Sequence, residues 1–214
     1  MKTVLLIGLG RFGTNVAQKL YELKHEVMAL DTDEARINEI LPVVTRAQIG
    51  NSTDVELLRS LGVEDYDVCI VTIKDFADSL QTVSLLKELG AKAVVARATD
   101  DVHEKFLLRN GADETVYPEK QLATWTAVCF TSSHVFDYIR LDDEHSIFEV
   151  TIPDDWEGKT IEQLAVRRKH GINIMAVKED SGLNMLITPD MVLTRDKHIL
   201  VLGSIKNIKK VFNI

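Results

Sequence analysis

The most constraining feature of the sequence is a glycine-rich segment close to its start. Gly8-Leu9-Gly10-Arg11-Phe12-Gly13 directly follows the short apolar run Thr3–Ile7. Apolar residues then recur at helical spacing, so the segment joins a predicted strand to a predicted helix. Glycines in such a turn let the backbone approach phosphate groups, and the helix N-terminus offers free N–H groups to an anion. The segment therefore predicts a phosphate-binding loop, and the alternative is a glycine-rich turn that binds nothing.

The first 134 residues alternate short β-branched runs with segments of helical period, a pattern typical of βαβ units and a parallel sheet. Strands are predicted at Thr3–Ile7, Glu26–Leu30, Val43–Ile49, Asp67–Val71, Ala93–Ala96 and Thr115–Tyr117. One helix is predicted to start after an N-cap at Asp33, and another at a capping box formed by Thr53 and Glu56. Three further helices are predicted over Phe76–Glu88, Asp101–Asn110 and Glu119–Ser133. The predicted fold class is α/β, a Rossmann-like doubly wound parallel sheet.

Beyond residue 134 the pattern predicts a small α+β unit. Strands are predicted at Val135–Leu141, Ser146–Ile152, Ile172–Lys178, Asn184–Thr188 and His198–Leu202, with a helix around Ile161–Arg168 and a turn at Glu179-Asp180-Ser181-Gly182. A chain of 214 residues has room for two such units. We therefore expect a first domain at residues 1–134, a second at 142–214, and a crossover at about 119–141 with the boundary near residue 135.

Composition excludes several classes of protein. The chain has 25 Lys and Arg against 33 Asp and Glu, a formal charge of −8, which disfavours binding to nucleic acid or to an anionic membrane surface. Cys69 and Cys129 both lie in apolar stretches, as buried thiols in a reducing cytoplasm do. No apolar run reaches the roughly 18 residues of a membrane span, and Met1–Leu9 does not form a signal-peptide core. Any membrane role is expected to come through a partner.

Two further segments at predicted strand ends are candidates for the same ligand site. Asp31 lies at the position, about 20 residues beyond a glycine loop, where a carboxylate accepts hydrogen bonds from an adenosine ribose. This favours ATP, ADP, AMP or NAD over NADP; the alternative is that Asp31 only precedes a helix. Asp33 supports the same ribose edge or serves only as the N-cap. The small residues of Gly50-Asn51-Ser52-Thr53 admit an adenine ring, or form only a turn capped by Thr53.

Basic residues at strand ends are candidate phosphate ligands. Arg11 lies inside the glycine segment, where a guanidinium can pair with a phosphate chain; the alternative is a solvated arginine. Lys74 and Arg97 are weaker candidates of the same kind.

Beyond the candidate ligand-binding residues, the sequence contains no recognisable set of catalytic residues. The histidines at 25, 103, 134, 145, 170 and 198 show no metal-ligand spacing, neither cysteine lies in a motif, and no serine lies in a nucleophile elbow. We therefore expect a protein that is not an enzyme and has no catalytic residues. The alternative is a small NAD-dependent oxidoreductase or nucleotide hydrolase, supported only by the glycine loop.

Motifs in both halves together resemble one known family. They are Ile7–Gly13, Ala29-Leu30-Asp31, Gly50–Thr53, Gly111-Ala112-Asp113, Pro118-Glu119-Lys120 and Leu164–Ile174. On these residues the chain resembles, over nearly its whole length, the RCK (regulator of potassium conductance) subunits of bacterial Trk/Ktr-type potassium uptake systems. The resemblance implies a TrkA-N and a TrkA-C (RCK) domain. It also implies a homodimer that assembles into a homo-octameric ring, cytoplasmic and held at the inner face of the plasma membrane by a potassium-translocating subunit.

The resemblance also implies how such a ring is regulated. Exchange of ATP for ADP, or of NAD for NADH, would switch its conformation. Arg11 would meet the terminal phosphates of ATP, Asp31 and Asp33 the ribose, and Asn51, Ser52 and Thr53 the adenine. Glu119 would bind a divalent or monovalent cation between subunits.

In the second domain the resemblance implies a cyclic di-AMP site, and a stand-alone cyclic di-AMP receptor is therefore a further alternative. The matching positions are Ile161, Arg167, Asn173, Ile174 and Pro189, although Ile161 and Ile174 fit a plain core equally well. The chain departs from the family pattern at two places. Ile73-Lys74-Asp75 replaces a glycine after the fourth strand, and Arg168 follows Arg167 where relatives have alanine.

Overall fold

A computed structural model describes residues 1–180 and 182–214, which form two compact units, Met1–Glu119 and Lys120–Ile214. The division falls at 119/120, earlier in the chain than the expected boundary near 135. The reason is that Trp125, Val128 and Cys129, on the helix that links the units, pack into the hydrophobic core of the second unit. No helix in the described ranges has both the length and the apolar character needed to cross a membrane.

The first unit is built on a six-stranded parallel sheet in the order β3-β2-β1-β4-β5-β6. Its strands are β1 (Thr3–Ile7), β2 (Glu26–Asp31), β3 (Arg46–Ile49), β4 (Val68–Val71), β5 (Val94–Arg97) and β6 (Glu114–Val116). Both faces of β1 are buried, with Leu5 and Ile7 in one hydrophobic cluster and Val4 and Leu6 in another. A parallel strand is buried in this way because crossover helices cover both faces of the sheet. The predicted fold class is confirmed.

The crossover helices of this unit are α1 (Arg11–Glu22), α2 (Glu34–Ile40), α3 (Val55–Ser60), α4 (Phe76–Glu88) and α5 (Asp101–Arg109). Asp33 caps α2 as predicted, accepting hydrogen bonds from the N–H groups of Ala35 and Arg36. The predicted capping box at Thr53 is wrong, because the cap of α3 is Asp54, whose carboxylate accepts from Glu56 and Leu57. Thr53 instead donates its N–H to Asn51 Oδ1 at 3.0 Å.

The second unit contains a five-stranded antiparallel sheet in the order β10-β9-β11-β8-β7. The strands are β7 (Val135–Arg140), β8 (His145–Thr151), β9 (Ile172–Glu179), β10 (Gly182–Asn184) and β11 (His198–Ser204). α6 (Pro118–Thr131) leads into this unit, and α7 (Ile161–Leu164), α8 (Val166–His170) and α9 (Ile205–Phe212) lie within it. The predicted strand Asn184–Thr188 is wrong beyond Asn184, and α9 was not predicted. The predicted turn includes Ser181, which lies outside the described residues.

The helix predicted over Ile161–Arg168 is interrupted at Ala165, which adopts a left-handed conformation at φ 48°. Leu164 and Val166 on either side are both buried. Residues two positions apart face in nearly opposite directions in a continuous α-helix, so one of them would point to solvent. The break lets both side chains enter the core.

Candidate functional site

The glycine segment meets the end of β4 at the centre of the sheet. β1 pairs on one side with β2 and on the other with β4, so the order of the strands reverses there. The Thr72 hydroxyl, directly after β4, donates to the Gly8 carbonyl oxygen at 2.6 Å. Open α/β sheets bind ligands in the crevice at such a switch point, outside the carboxyl ends of the strands.

The three glycines of the segment have different surroundings. Gly8 has a left-handed φ of 93°, and a Cβ there would lie 3.0 Å from Thr72 Oγ1. A Cβ on Gly13 would lie 2.0 Å from the Gly8 carbonyl oxygen, which shows that helix α1 closes tightly on the turn. Gly10 is the N-cap of α1 and would meet nothing within 4 Å. The backbone at Gly10 is therefore open to an approaching anion.

Asp31 holds the glycine segment from the end of β2. Its carboxylate accepts from the Leu9 N–H at 2.6 Å and from the Asp33 N–H at 2.9 Å. Arg36 Nη1 lies 3.6 Å from the same carboxylate, and Arg36 Nε lies 3.4 Å from Asp33 Oδ2. The Asp31 side chain is 6% exposed, so these neighbours compensate the cost of burying its charge.

A cleft of about 480 Å³ opens at this edge of the sheet. The predicted residues that line it are Gly8, Gly10, Arg11, Asp31, Gly50, Asn51, Ser52 and Lys74. The lining residues that were not predicted as ligand-binding are Ile7, Leu30, Thr32, Arg36, Thr72, Ile73 and Asp78. Phe12, Gly13, Asp33 and Thr53 belong to the segments that form the cleft but do not line it. The cleft is therefore lined by the accessible backbone at Gly10, by the Asp31 carboxylate and by several cationic side chains.

Two of the cations in the cleft are free to meet a ligand. Arg11 and Lys74 are exposed, and neither side chain makes a hydrogen bond or an ion pair with any residue in the described ranges. Arg36 already forms ion pairs with Asp31 and Asp33. Cations placed in this way favour an anionic ligand such as a phosphate chain.

The turn after β3 forms the wall of the cleft beyond β2. Asn51 is exposed, and its side-chain oxygen accepts the Thr53 N–H, which fixes the turn. Ser52 is buried and shares a hydrogen bond of 2.8 Å with Thr82 of α4. Thr53 therefore acts in the structure of the turn, while Asn51 and Ser52 line the cleft.

Arg97 is not brought to the cleft. Its side chain is 5% exposed, and it forms an ion pair with Glu119. Its guanidinium carbon lies 5.4 Å from the centre of the Phe12 ring. The end of β5 thus directs this arginine against the glycine segment and the start of α6. The Arg97 side chain does not line the cleft.

Glu119 is the residue expected to bind a cation between subunits. Its carboxylate is more than half exposed and carries the ion pair with Arg97. Within the described parts of the chain, no group of three or more His, Cys, Asp or Glu side chains is placed to hold a metal ion. The cation at Glu119 stays a prediction that needs ligands from a second copy of the chain.

The second unit has a depression of about 500 Å³ around α7, α8 and the start of β9. Four of the five residues predicted for cyclic di-AMP line it, namely Ile161, Arg167, Asn173 and Ile174. Arg168 lines it as well. Pro189 is adjacent, because its carbonyl oxygen accepts the Glu162 N–H at 2.9 Å. The site combines apolar walls with two cationic side chains.

The cleft residues missed in the sequence fall into two groups. Arg36 follows Asp33 by three residues on a helix, a spacing that places the two side chains together. Thr72 and Asp78 lie in the cleft only because β4 pairs with β1, and no local sequence pattern predicts that pairing. The position of Arg36 was predictable from its spacing, whereas the positions of Thr72 and Asp78 can be predicted only when the strand order is known.

Comparison with known proteins matches a known domain to each of the two units. The TrkA-N domain matches residues 4–118, and the TrkA-C domain matches residues 146–214. Ktr system potassium uptake protein C of Bacillus subtilis (strain 168) is 38% identical over 212 residues, covering 98% of this chain and 95% of the relative.

Two solved structures extend the comparison. The GsuK channel superposes with a TM-score of 0.72 at 19% identity, over 98% of this chain and 38% of the channel chain. The Kef CTD of Shewanella denitrificans, in AMP bound form, has a TM-score of 0.50 at 25% identity, over 56% of this chain and 74% of that chain. With both domain models matched and a full-length relative in the Ktr system, the chain belongs to the TrkA-N/TrkA-C (RCK) family of Trk and Ktr potassium uptake proteins.

Proposed function

We propose that this chain is a cytoplasmic regulatory subunit that gates a separate potassium-translocating membrane protein in response to an adenine nucleotide. The observation that carries the proposal is the cleft at the β1/β4 switch point, where open glycine backbone, Asp31 and the unpaired Arg11 line one volume. The relationship to a Ktr potassium uptake protein supports the transport role. The AMP-bound Kef structure supports an adenine nucleotide as the ligand.

In this proposal, different residues of the cleft contact different parts of the nucleotide. The backbone at Gly10 and the N-terminus of α1 bind phosphate groups, because these N–H groups have no partner within the helix. Asp31 accepts from the ribose hydroxyls through the lone pairs that Leu9 and Asp33 leave available. Asn51 and Ser52 lie at the adenine end. Lys74 lies at the opposite wall.

A switch requires one ligand to contact the protein differently from the other. Arg11 supplies that difference, because its free guanidinium can pair with a γ-phosphate that ATP has and ADP lacks. NAD and NADH are the second ligand pair that this cleft fits, since both carry an adenosine diphosphate half.

Isothermal titration calorimetry with ATP, ADP and NADH tests the proposal. We expect ATP and ADP to bind, and Arg11→Ala to weaken ATP by about tenfold while ADP changes much less, since a charge-assisted hydrogen bond is lost only with ATP. Arg109→Ala, on the exposed end of α5, removes the same charge outside the cleft and should leave both affinities unchanged. Equal losses of ATP and ADP in Arg11→Ala would contradict the switching role.

The chain is proposed to act without turnover. A purified sample incubated with ATP or NADH should return the nucleotide unchanged over many equivalents. Sustained multiple turnover would favour the alternative, a small NAD-dependent oxidoreductase or nucleotide hydrolase, over a gating subunit.

Assembly belongs to the same proposal. A homodimer that forms an octameric ring would bring a second chain to Glu119, whose exposed carboxylate could then share a cation. Analytical ultracentrifugation with and without nucleotide measures the size. Glu119→Gln should reduce any cation dependence of assembly while leaving nucleotide affinity within about twofold, as expected for a site outside the cleft.

We further propose that the second unit binds cyclic di-AMP. Arg167 and Arg168 offer two cations for two phosphates, and Ile161 and Ile174 offer apolar surface for the bases. Arg167→Ala should abolish measurable binding in calorimetry, and Lys206→Ala, at an exposed position of α9, serves as the charge control. Tight cyclic di-AMP binding with no response to ATP, ADP or NADH would instead favour a stand-alone cyclic di-AMP receptor.

A further inference from the structure

A nucleotide bound in the cleft would lie across the strands of the sheet in a direction set by the proposed binding residues. The proposed ribose residue, Asp31, ends β2, and the proposed adenine residue, Asn51, lies just after β3. Both strands are on one side of β1. The glycine loop that takes the phosphates follows β1 itself. A phosphate chain that continues in the same direction therefore extends past β1 towards β4, the next strand in the order β3-β2-β1-β4.

Lys74 stands at that position. β4 ends at Val71, and the next residue, Thr72, is hydrogen bonded to Gly8 at 2.6 Å. The Ile73 backbone nitrogen would lie 3.2 Å from a Cβ on Gly8. Lys74 is thus one residue beyond a direct contact with the glycine turn, and it lines the same cleft as Arg11.

The charges of the cleft leave Lys74 available. Arg36 is neutralised by Asp31 and Asp33, and Arg97 is buried against Glu119 outside the lining. Among the described lining residues, Arg11 and Lys74 are the cations that carry no hydrogen bond or ion pair. They approach the cleft from two different loops, after β1 and after β4.

One carboxylate acts in the opposite sense. Asp78, on the first turn of α4, also lines the cleft, and its charge repels a phosphate placed near Lys74. Lys74 therefore has two effects, attraction of the phosphate and compensation of Asp78. Removal of Lys74 and removal of the Asp78 charge should change the affinity for a longer phosphate chain in opposite directions.

We propose that Lys74 and Arg11 form a two-sided subsite for the terminal phosphate of a nucleoside triphosphate, which makes this cleft prefer triphosphate to diphosphate. This subsite rests on the proposed function, namely adenine-nucleotide binding in the cleft. Lys74 acts on the group that lies beyond the diphosphate and has no role in holding adenosine. It is a specificity-determining residue for the length of the phosphate chain.

The test compares ATP, ADP and NADH by calorimetry on the full chain and its variants at low and moderate salt. Lys74→Ala should weaken ATP by about fivefold to tenfold and change ADP and NADH by less than about twofold, the range for one partly exposed charge on phosphate. Lys74→Arg should restore most of the ATP affinity. Asp78→Asn should strengthen ATP, and the ATP-specific differences should shrink as salt is raised.

Control variants separate the possible results. Lys105→Ala, at an exposed position of α5, removes one positive charge away from the cleft and should leave all three affinities unchanged. Thermal unfolding of each variant shows that the fold is retained. If the unmodified chain binds none of the three nucleotides, the proposed function fails and the subsite fails with it. If the chain binds ATP but Lys74→Ala leaves ATP unchanged, or weakens ATP and ADP equally, only the subsite is overturned.

Discussion

The buried carboxylate of Asp31 accepts a hydrogen bond of 2.6 Å from the backbone N–H of Leu9, in the middle of the glycine segment. A residue predicted to bind the ligand's ribose therefore also fixes the loop that is proposed to bind its phosphates. The groups proposed to recognise the ribose and the phosphates thus depend on each other. Any change at Asp31 acts on both.

Asp31→Ala is expected to lower the free energy of unfolding by about 2 kcal/mol, because it leaves the N–H groups of Leu9 and Asp33 without their acceptor. It should also weaken ATP, ADP and NADH to a similar extent, since all three contain adenosine. Urea unfolding and calorimetry measure the two effects. Asp33→Ala is the comparison: it loses an N-cap worth about 1 kcal/mol but keeps the Leu9 contact. Equal effects of the two variants would contradict the anchoring role of Asp31.

Gly13 and Gly10 form a matched pair for the glycine loop. Gly13→Ala should unfold or strongly destabilise the first unit, because its Cβ would lie 2.0 Å from the Gly8 carbonyl oxygen. Gly10→Ala should retain the fold, since its Cβ meets nothing within 4 Å, but it should weaken nucleotides by narrowing the approach to the backbone. Circular dichroism melting and nucleotide titration distinguish them. A stable, fully binding Gly13→Ala protein would show that the loop is less tightly closed than described.

His103 is a buried histidine between α4 and α5. Its Nδ1 lies 3.3 Å from the Thr99 backbone nitrogen, which can only donate, so the ring hydrogen is assigned to Nε2, 2.7 Å from Ser79 Oγ. Burial lowers the pKa of His103 below its ordinary value of 6.5, although the carboxylates of Asp100 and Asp75 act in the opposite direction. The fold therefore favours neutral His103.

This lowered pKa predicts a loss of stability in acid. Below pH 6.5 the unfolded chain gains a proton that folded His103 resists, so the contribution present above pH 6.5 falls as pH decreases towards the folded pKa. The slope from one such group is at most about 1.4 kcal/mol per pH unit. Urea unfolding between pH 7.5 and 5.5 should show a steeper decline for the unmodified chain than for His103→Gln. Parallel declines would exclude His103 as the cause.

Ala165 and Gly171 both have left-handed backbone, at φ 48° and 66°. Ala165→Gly should raise the melting temperature slightly, because the strain of an L-residue there, about 1 kcal/mol, exceeds the entropy cost of glycine. Gly171→Ala should lower it, since its new Cβ would be strained and would lie 3.0 Å from Asn207 Nδ2. Differential scanning calorimetry measures both. A fall in melting temperature for Ala165→Gly would mean that its strain is relieved elsewhere.

The sequence predicted some elements well because their signals are local. β1 and α4 have the predicted bounds, and Asp33 caps α2 as predicted, since an apolar run, helical spacing and a cap are each read from a few neighbouring residues. The break at Ala165 was missed because it follows from burial of both Leu164 and Val166, which only the tertiary core decides.

The same distinction applies to the cleft. Gly8, Gly10, Arg11 and Asp31 were found because they lie at or just after the carboxyl ends of strands that meet at one edge of the sheet. Arg97 also ends a strand, but it is buried against Phe12 and Glu119, and sequence position does not say which way a side chain turns.

The hydrogen bond between Thr72 and Gly8 joins residues 64 positions apart. During synthesis the glycine segment is made before its partner Thr72, which lies directly after β4 and follows two intervening strands and their helices. Long-range parallel pairing of this kind closes slowly, because a large loop must be ordered before the contact forms. The glycine turn should therefore form late, together with the centre of the sheet, and a nascent chain that ends before Thr72 would lack the contact that holds this turn.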